Sequence, residues 1–367
     1  MIRILLIMAM GFMVSCTGVS DDKSSDTPVS PEVPEIPEQV VDKQFSNPLF
    51  DGADPWIVKK DGMYYTVTST GKGLKVSESR FLTKKEKEVQ VFQCPSSGWN
   101  SANVWAPELH FVYGKWCIYY AAAKQDGSPF IHQRTGVLVA DNPFGPYVDK
   151  GVIYTGDNFD NQTEDNNIWA IDMTIFVHND KNYAVWSGWE KQADTDQTNQ
   201  LTYIAEMSSP WEIGKRHLIS SPTQDWEGGD NIELQEGQAA LYSDNRSFIL
   251  YSTRGSWTPD YCIGYLELTG ENPLDANSWT KSDGPVFKQY DKTYGVGHAS
   301  YTSSPDDKEN WIYYHAKKGT EHGWDRYVFL QKFSFDENGY PFFGNPVQPN
   351  EKIDRPSGEV EIEKEQN

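Results

Sequence analysis

From Asp54 to Ser69 the chain runs through a short apolar stretch, Trp56-Ile57-Val58, breaks at Lys59-Lys60-Asp61-Gly62, and resumes with an aromatic-rich alternating run. That pattern predicts two antiparallel strands joined by a tight turn. It returns four times, in "ELHFVYGKWCIYYAAA" from Glu108, "DMTIFVHNDKNYAVWSGW" from Asp172, "EGQAALYSDNRSFILYSTRG" from Glu236 and "HASYTSSPDDKENWIYYHAKK" from His298. Each copy opens on an acid, or on His in the last, turns at Gly, Asp or Asn, and resumes on an aromatic: Tyr64, Trp116, Tyr183, Phe248 and Trp311.

The five starts are 54, 64, 64 and 62 residues apart. That period is too long for a solenoid turn and suits a four-stranded blade with extended loops. No long stretch has the periodicity of an amphipathic helix, so the expectation is an all-β chain folded as a five-bladed β-propeller. First strands of blades line a central channel, which brings the residues that open them together around one axis. A single Asp at a strand start is turn chemistry, but Glu is depleted from strands, and four acids in register argue for a shared site. Residues 45–53 are expected to join the last blade and close the ring.

Composition narrows the class. Thirteen Trp, 20 Tyr and 17 Phe with 29 Gly and 21 Pro fit a turn-rich β protein. The formal charge of −21, with no basic stripe, excludes nucleic acid as a natural partner and disfavours an anionic membrane surface.

Met1-Ile2-Arg3 and the apolar run to Val14 form a charged n-region and a short h-region, below the ~20 apolar residues that span a bilayer, and read as an export signal. The run ends in "MVSC", which resembles a bacterial lipobox with Cys16 as the lipidated residue; an ordinary cleavage site with an incidental Cys is the alternative. Residues 17–44, rich in Ser, Pro and acids, have little to bury and read as an extended tether. The expected organisation is a signal over 1–16, the tether over 17–44, the propeller over 45–350 and a charged C-terminal tail over 351–367. The "SDD" after the lipobox resembles the surface-export signals of Bacteroidetes lipoproteins, so the expected location is the outer membrane, on its surface or periplasmic side. The remaining Cys94, Cys117 and Cys262, an odd number without CxxC spacing, fit neither a disulfide framework nor a zinc site.

Carboxylates around one funnel repel each other, which raises one pKa and leaves another group ionised. Glycoside hydrolysis needs that pair, with aromatics to pack against the sugar's C–H face. Trp56, Trp105, Trp169, Trp189 and Trp257 lie near inner-strand starts or in nearby loops. Blade packing uses the same residue type, and Trp105, Trp169 and Trp257 are the candidates for substrate platforms.

"NPLFDGADPWI", "NVWAPELH", "WAIDMTIF", "EGQAAL" and "GVGHASY", in this order, resemble glycoside hydrolase family 43, and the match extends over about residues 45 to 348. The resemblance implies a five-bladed propeller and an inverting mechanism. Asp54 would be the general base, Glu236 the general acid, and Asp172 the carboxylate that tunes and positions the acid. Inversion implies that the Asp54 and Glu236 carboxyls stand roughly 6.5–9.5 Å apart. Arg326, in "WDRYVFLQ", falls where members place an active-site Arg. His298 falls where members hold a calcium or sodium ion, largely through water; a hard cation prefers oxygen ligands, so this rests on the resemblance alone. Glu108 matches none of the three catalytic positions and reads as a carboxylate bonded to neighbouring blades. Gln238 departs from the Pro that many members carry after "EG".

"NVWAPELH", "YAVWSGWE" and "RYVFLQKFSFDENGYPFFGNP" look most like the α-L-arabinofuranosidase branch. The implied partners are arabinose- or xylose-containing plant glycans. A β-xylosidase or endo-arabinanase on the same scaffold remains the enzymatic alternative. A glycan-binding propeller is the alternative of another class, and the presence of Asp54, Asp172 and Glu236 together weighs against it. A related fructan-cleaving family opens on Asn-Asp-Pro-Asn-Gly, where this chain reads Ala53-Asp54-Pro55-Trp56-Ile57.

Overall fold

The computed structural model describes residues 41–128, 130–229, 231–359 and 361–362. The expected signal, Cys16 and most of the tether lie outside these residues. Five antiparallel sheets follow one another along the chain, each ordered from inner to outer strand. Blade 1 is Trp56–Lys60, Met63–Ser69, Gly73–Ser79 and Lys87–Gln93. Blade 2 is Ala102–Val112, Lys115–Ala123, Arg134–Ala140 and Val148–Val152. Blade 3 is Ala170–His178, Lys181–Gly188, Leu201–Ser209 and His217–Ser220, and blade 4 is Glu236–Tyr242, Ser247–Thr253, Cys262–Leu268 and Trp279–Lys281. Blade 5 has Tyr294–Ser303, Asn310–Lys317 and Arg326–Phe335.

The core is divided among the blade interfaces. Separate apolar clusters fill the gaps between blades 1 and 2, 2 and 3, 3 and 4, 4 and 5, and 5 and 1. A sheet packed on both faces needs strands that are apolar throughout, and every residue of Lys115–Ala123 after Lys115 is buried. The outermost Lys87–Gln93 has no buried residue. Tyr64, Trp116, Tyr183, Phe248 and Trp311 are all buried in these interfaces. Burial of each is worth about 1.5–3 kcal/mol, which explains why an aromatic recurs as each second strand begins.

The ring closes as the sequence suggests: Phe50–Asp51 pairs with the third strand of blade 5, Asp51 opposite Tyr327 and Phe50 opposite Val328. Within the expected charged C-terminal tail, residues 352–359 make contacts with the rest of the chain. Lys352–Asp354 pairs with Gln44–Ser46. Beyond it the Glu359 carboxylate accepts from the Leu82 N–H at 2.9 Å and from Arg355 at 2.9 Å. Asp354 and Arg355 also have partners, Gln44 and Thr83, and the described backbone already pairs at Val41–Asp42, inside the stretch expected to be tether.

The inner strands carry one further regularity. In blades 2 to 5 the ladder to the second strand slips, between Trp105 and Glu108, Ile171 and Thr174, Glu236 and Ala239, and Gly297 and Ser300. At each slip one residue is left-handed: Ala106 (φ 40°), Asp172 (54°), Gly237 (59°) and His298 (44°). In blade 1 Asp54 (φ 50°) stands just ahead of the strand. Such a conformation costs a non-glycine residue roughly 1–3 kcal/mol, and a bulge re-aims the side chain it carries. The acids therefore do not share one register. Blade 2 places Ala106 at this position with Glu108 two residues further on, and blade 4 places Gly237 there with Glu236 one residue before.

Candidate active site

Asp54, Asp172, Glu236, His298 and Arg326 line one cavity of about 730 Å³. Asp172, Glu236 and His298 come from the bulged starts of inner strands, Asp54 from just ahead of the first inner strand, and Arg326 from the first residue of blade 5's third strand.

Three groups converge on a single oxygen of Asp54. Its Oδ1 lies 3.1 Å from Arg326 Nη1, 3.3 Å from His298 Nδ1 and 3.3 Å from His315 Nδ1. Its backbone N is 3.2 Å from His315 Nδ1, which fixes the left-handed residue in place. Among the described residues no hydrogen bond reaches Oδ2. Burial alone would raise the Asp54 pKa, but Arg326, then His298 and His315, more than offset it and hold the carboxyl well below the usual range. Burial pushes the His315 imidazole down to about 3, with Arg326 adding to the effect, and His298 is lowered chiefly by burial. Arg326 therefore supplies the positive charge and donates to Oδ1, while His315 Nδ1 accepts the Asp54 backbone N–H.

The other two carboxyls move the opposite way. Glu236 is pushed up to about 7, first by burial and then by the charge of Asp54, against the opposing hydrogen bond from Tyr261. Tyr261 Oη donates to Glu236 Oε1 at 2.9 Å. Asp172 is raised well above its ordinary value by burial, by Glu236 and by Asp54, while accepting the Gly237 N–H at Oδ2, 2.9 Å away. Two glycines make this packing possible. A Cβ on Gly237 would meet the His298 ring at 3.0 Å, and one on Gly297 would meet the Tyr261 ring at 2.3 Å.

The Trp candidates divide. Trp105, Trp169 and Trp257 all line the cavity, together with Trp189. Trp169 stacks on Trp189 with centroids 4.7 Å apart and planes 4° apart, and both are buried, so this pair is wall more than platform. Trp56 turns to another task, donating Nε1 to the Leu109 carbonyl between blades 1 and 2. Glu108 is buried and paired at 2.9 Å with His110, two residues along its own strand.

Sequence reasoning missed His315 and Tyr261. His315 and Tyr261 are buried with their rings nearly parallel, 5.4 Å apart, so a short chain of contacts runs from Asp54 through His315 and Tyr261 to Glu236. The one signal for His315 was a polar ring inside the apolar run "WIYYHAK"; Tyr261 left none.

The ion implied at His298 has a narrow set of donors. Nδ1 is turned to Asp54, and to Asp172 at 3.9 Å. No group of three or more His, Cys, Asp or Glu among the described residues is set to hold a metal. An ion there would depend on water for most of its oxygen ligands.

Comparison with known proteins adds four observations. The model of the glycosyl hydrolases family 43 matches residues 45–341. An extracellular exo-α-(1→5)-L-arabinofuranosidase of Streptomyces avermitilis is 32% identical over 320 residues, covering 83% of this chain and 64% of that protein, so this chain spans less than two thirds of its length. A protein of the same description from Streptomyces chartreusis is 30% identical over 292 residues, covering 76% of this chain and 84% of that one. The crystal structure of an α-L-arabinofuranosidase from Lactobacillus brevis superposes with a TM-score of 0.73 at 29% identity, covering 84% of this chain and 98% of that one.

Proposed function

The chain belongs to the glycosyl hydrolases family 43, and from that premise we propose that it is an exo-acting α-L-arabinofuranosidase working by inversion. The observation that carries the chemistry is the opposite tuning of two carboxyls in one cavity, with Asp54 held ionised beside Arg326 and Glu236 pushed up to about 7. The two Streptomyces relatives support the sugar and the exo action.

Asp54 is the general base. With Oδ1 taken by Arg326 and the two imidazoles, Oδ2 is the atom left to receive a proton from water as its oxygen attacks the anomeric carbon. Glu236 is the general acid and gives its proton to the glycosidic oxygen as the bond from the anomeric carbon breaks. The carbon–oxygen bond to water forms on the opposite face, so the sugar leaves with inverted configuration. Asp172, held by the N–H of Gly237 next to Glu236, is the third carboxylate that positions the acid, and the charge of Glu236 in turn raises the Asp172 pKa, so the two resist ionising together. Trp105 and Trp257 would pack against the sugar, and Trp169 would back the wall. A calcium or sodium ion beside His298, held mainly by water, would add positive charge under the carboxylates, and none of the steps above passes through it.

Export with a lipid anchor at Cys16 belongs to the same proposal; the N-terminal pattern supports both, and the extracellular description of the two relatives supports export. The test of function is sugar release from 4-nitrophenyl α-L-arabinofuranoside beside the β-D-xyloside, with Asp54→Asn as control. Arabinoside turnover lost in the variant is the expected result. Preference for the xyloside would move the sugar and keep the mechanism, and silence on both aryl glycosides and on arabinan would overturn the assignment.

A further inference from the structure

Two large aromatic side chains at the cavity mouth stay exposed, Phe130 at 37% and Trp324 at 58%. They come from blades that are not neighbours. Phe130 lies in the loop after Lys115–Ala123 of blade 2, Trp324 in the loop before Arg326–Phe335 of blade 5, and blade 1 stands between those blades in the ring. Yet the two rings meet edge to face, with centroids 6.5 Å apart and planes at 86°.

Both loops are held from the sides. Trp169 Nε1 of blade 3 donates to the Phe130 carbonyl at 2.9 Å, and Gln192 Nε2 donates to the Ile131 carbonyl at 2.9 Å. On the other side the Gly323 N–H donates to the Trp257 carbonyl of blade 4 at 2.9 Å. Phe130 also packs on Trp105 at 4.8 Å, and Trp324 on Trp257 at 6.3 Å. Four rings thus run as a continuous arc from blade 2 to blade 4 by way of blade 5. Core packing does not account for a Trp left more than half exposed at the end of a well-anchored loop, whereas a platform waiting for a ligand does.

We propose that Phe130 and Trp324 form an arch over the mouth that makes the cavity a pocket for a chain end, and that they set where along a glycan the enzyme cuts. This rests on the reading of the chain as an arabinofuranosidase. A polymer can then present only its terminal sugar to Asp54 and Glu236, because the arch blocks the path a continuing chain would need on that side. The exposed face of Trp324 stacks on the sugar that follows the scissile bond.

The test compares the wild type with Phe130→Ala, Trp324→Ala and the double variant on linear arabinan and, in parallel, on xylan, with product sizes resolved by chromatography. Product size reports the cutting position independently of rate, and the exposure of both rings lets the fold survive, which melting curves verify. The wild type is expected to release monosaccharide alone, and the double variant a ladder of oligosaccharides amounting to at least a tenth of the product. Monosaccharide alone from the double variant, or a ladder already from the wild type, overturns the arch. A wild type that shortens xylan and leaves arabinan untouched overturns the sugar assignment, while the same size ratio on xylan still decides the arch.

Discussion

Tyr261→Phe removes one oxygen and leaves the ring that packs against His315. The lost atom donates to Glu236 Oε1 at 2.9 Å in a buried site, where Tyr261 is the strongest influence holding the Glu236 pKa down. A hydrogen bond to a charged group is worth about 1.5–3 kcal/mol, and 1.36 kcal/mol corresponds to one pKa unit, so the Glu236 pKa should climb by about one to two units from its value of about 7. The sign follows from the acid's role. Glu236 works protonated, so a higher pKa carries activity to higher pH. Near pH 8 a group with a pKa of about 7 is roughly one-tenth protonated, and with a pKa of about 8 roughly half, a gain of about fivefold relative to the plateau. The assay is kcat against pH on an arabino-oligosaccharide, whose poor leaving group needs the proton. A basic limb that stays in place or moves down, with the plateau intact, would refute the assignment of Glu236 as the acid tuned by Tyr261.

Glu236→Gln should cut kcat on the same oligosaccharide by about 10²–10⁴-fold and yet raise stability above neutral pH. The folded pKa is raised, so the stability Glu236 contributes is full below its unfolded value near 4 and is lost as pH rises through about 7; melting curves should show the variant ahead by about 3 kcal/mol in alkali and level with wild type near pH 4. Gly237→Ala combines a φ of 59° with a Cβ 3.0 Å from the His298 ring, and should cost about 1–3 kcal/mol in denaturant unfolding and at least tenfold in kcat. Truncation after Asn350 removes the Lys352–Asp354 pairing and the bonds of Glu359, and should lower the melting temperature while the pH dependence of kcat stays unchanged.

What was legible in the sequence was whatever repeats. The aromatic at each second strand serves a blade interface, and five interfaces wrote it five times, which is enough to read the fold. Asp54, Asp172 and Glu236 stood out because carboxylates are conspicuous at strand starts. The bulges were hidden: they leave Ala106 in the place where Glu108 was expected and put Gly237, not Glu236, in the left-handed position, because a count of residues does not show where a ladder slips. His315 and Tyr261 act through contacts with Asp54 and Glu236 that span 261 and 25 residues, which no local pattern shows; a polar ring in an apolar run was the one mark of His315. The arch joins loops of no repeating pattern.

The central claim is that Asp54 activates water across the sugar from Glu236, and the anomer of the first arabinose released tests it most directly. Proton NMR during hydrolysis of an α-L-arabinofuranoside should show the β anomer accumulating first and then mutarotating. The α anomer appearing first would make Asp54 a nucleophile and contradict the account.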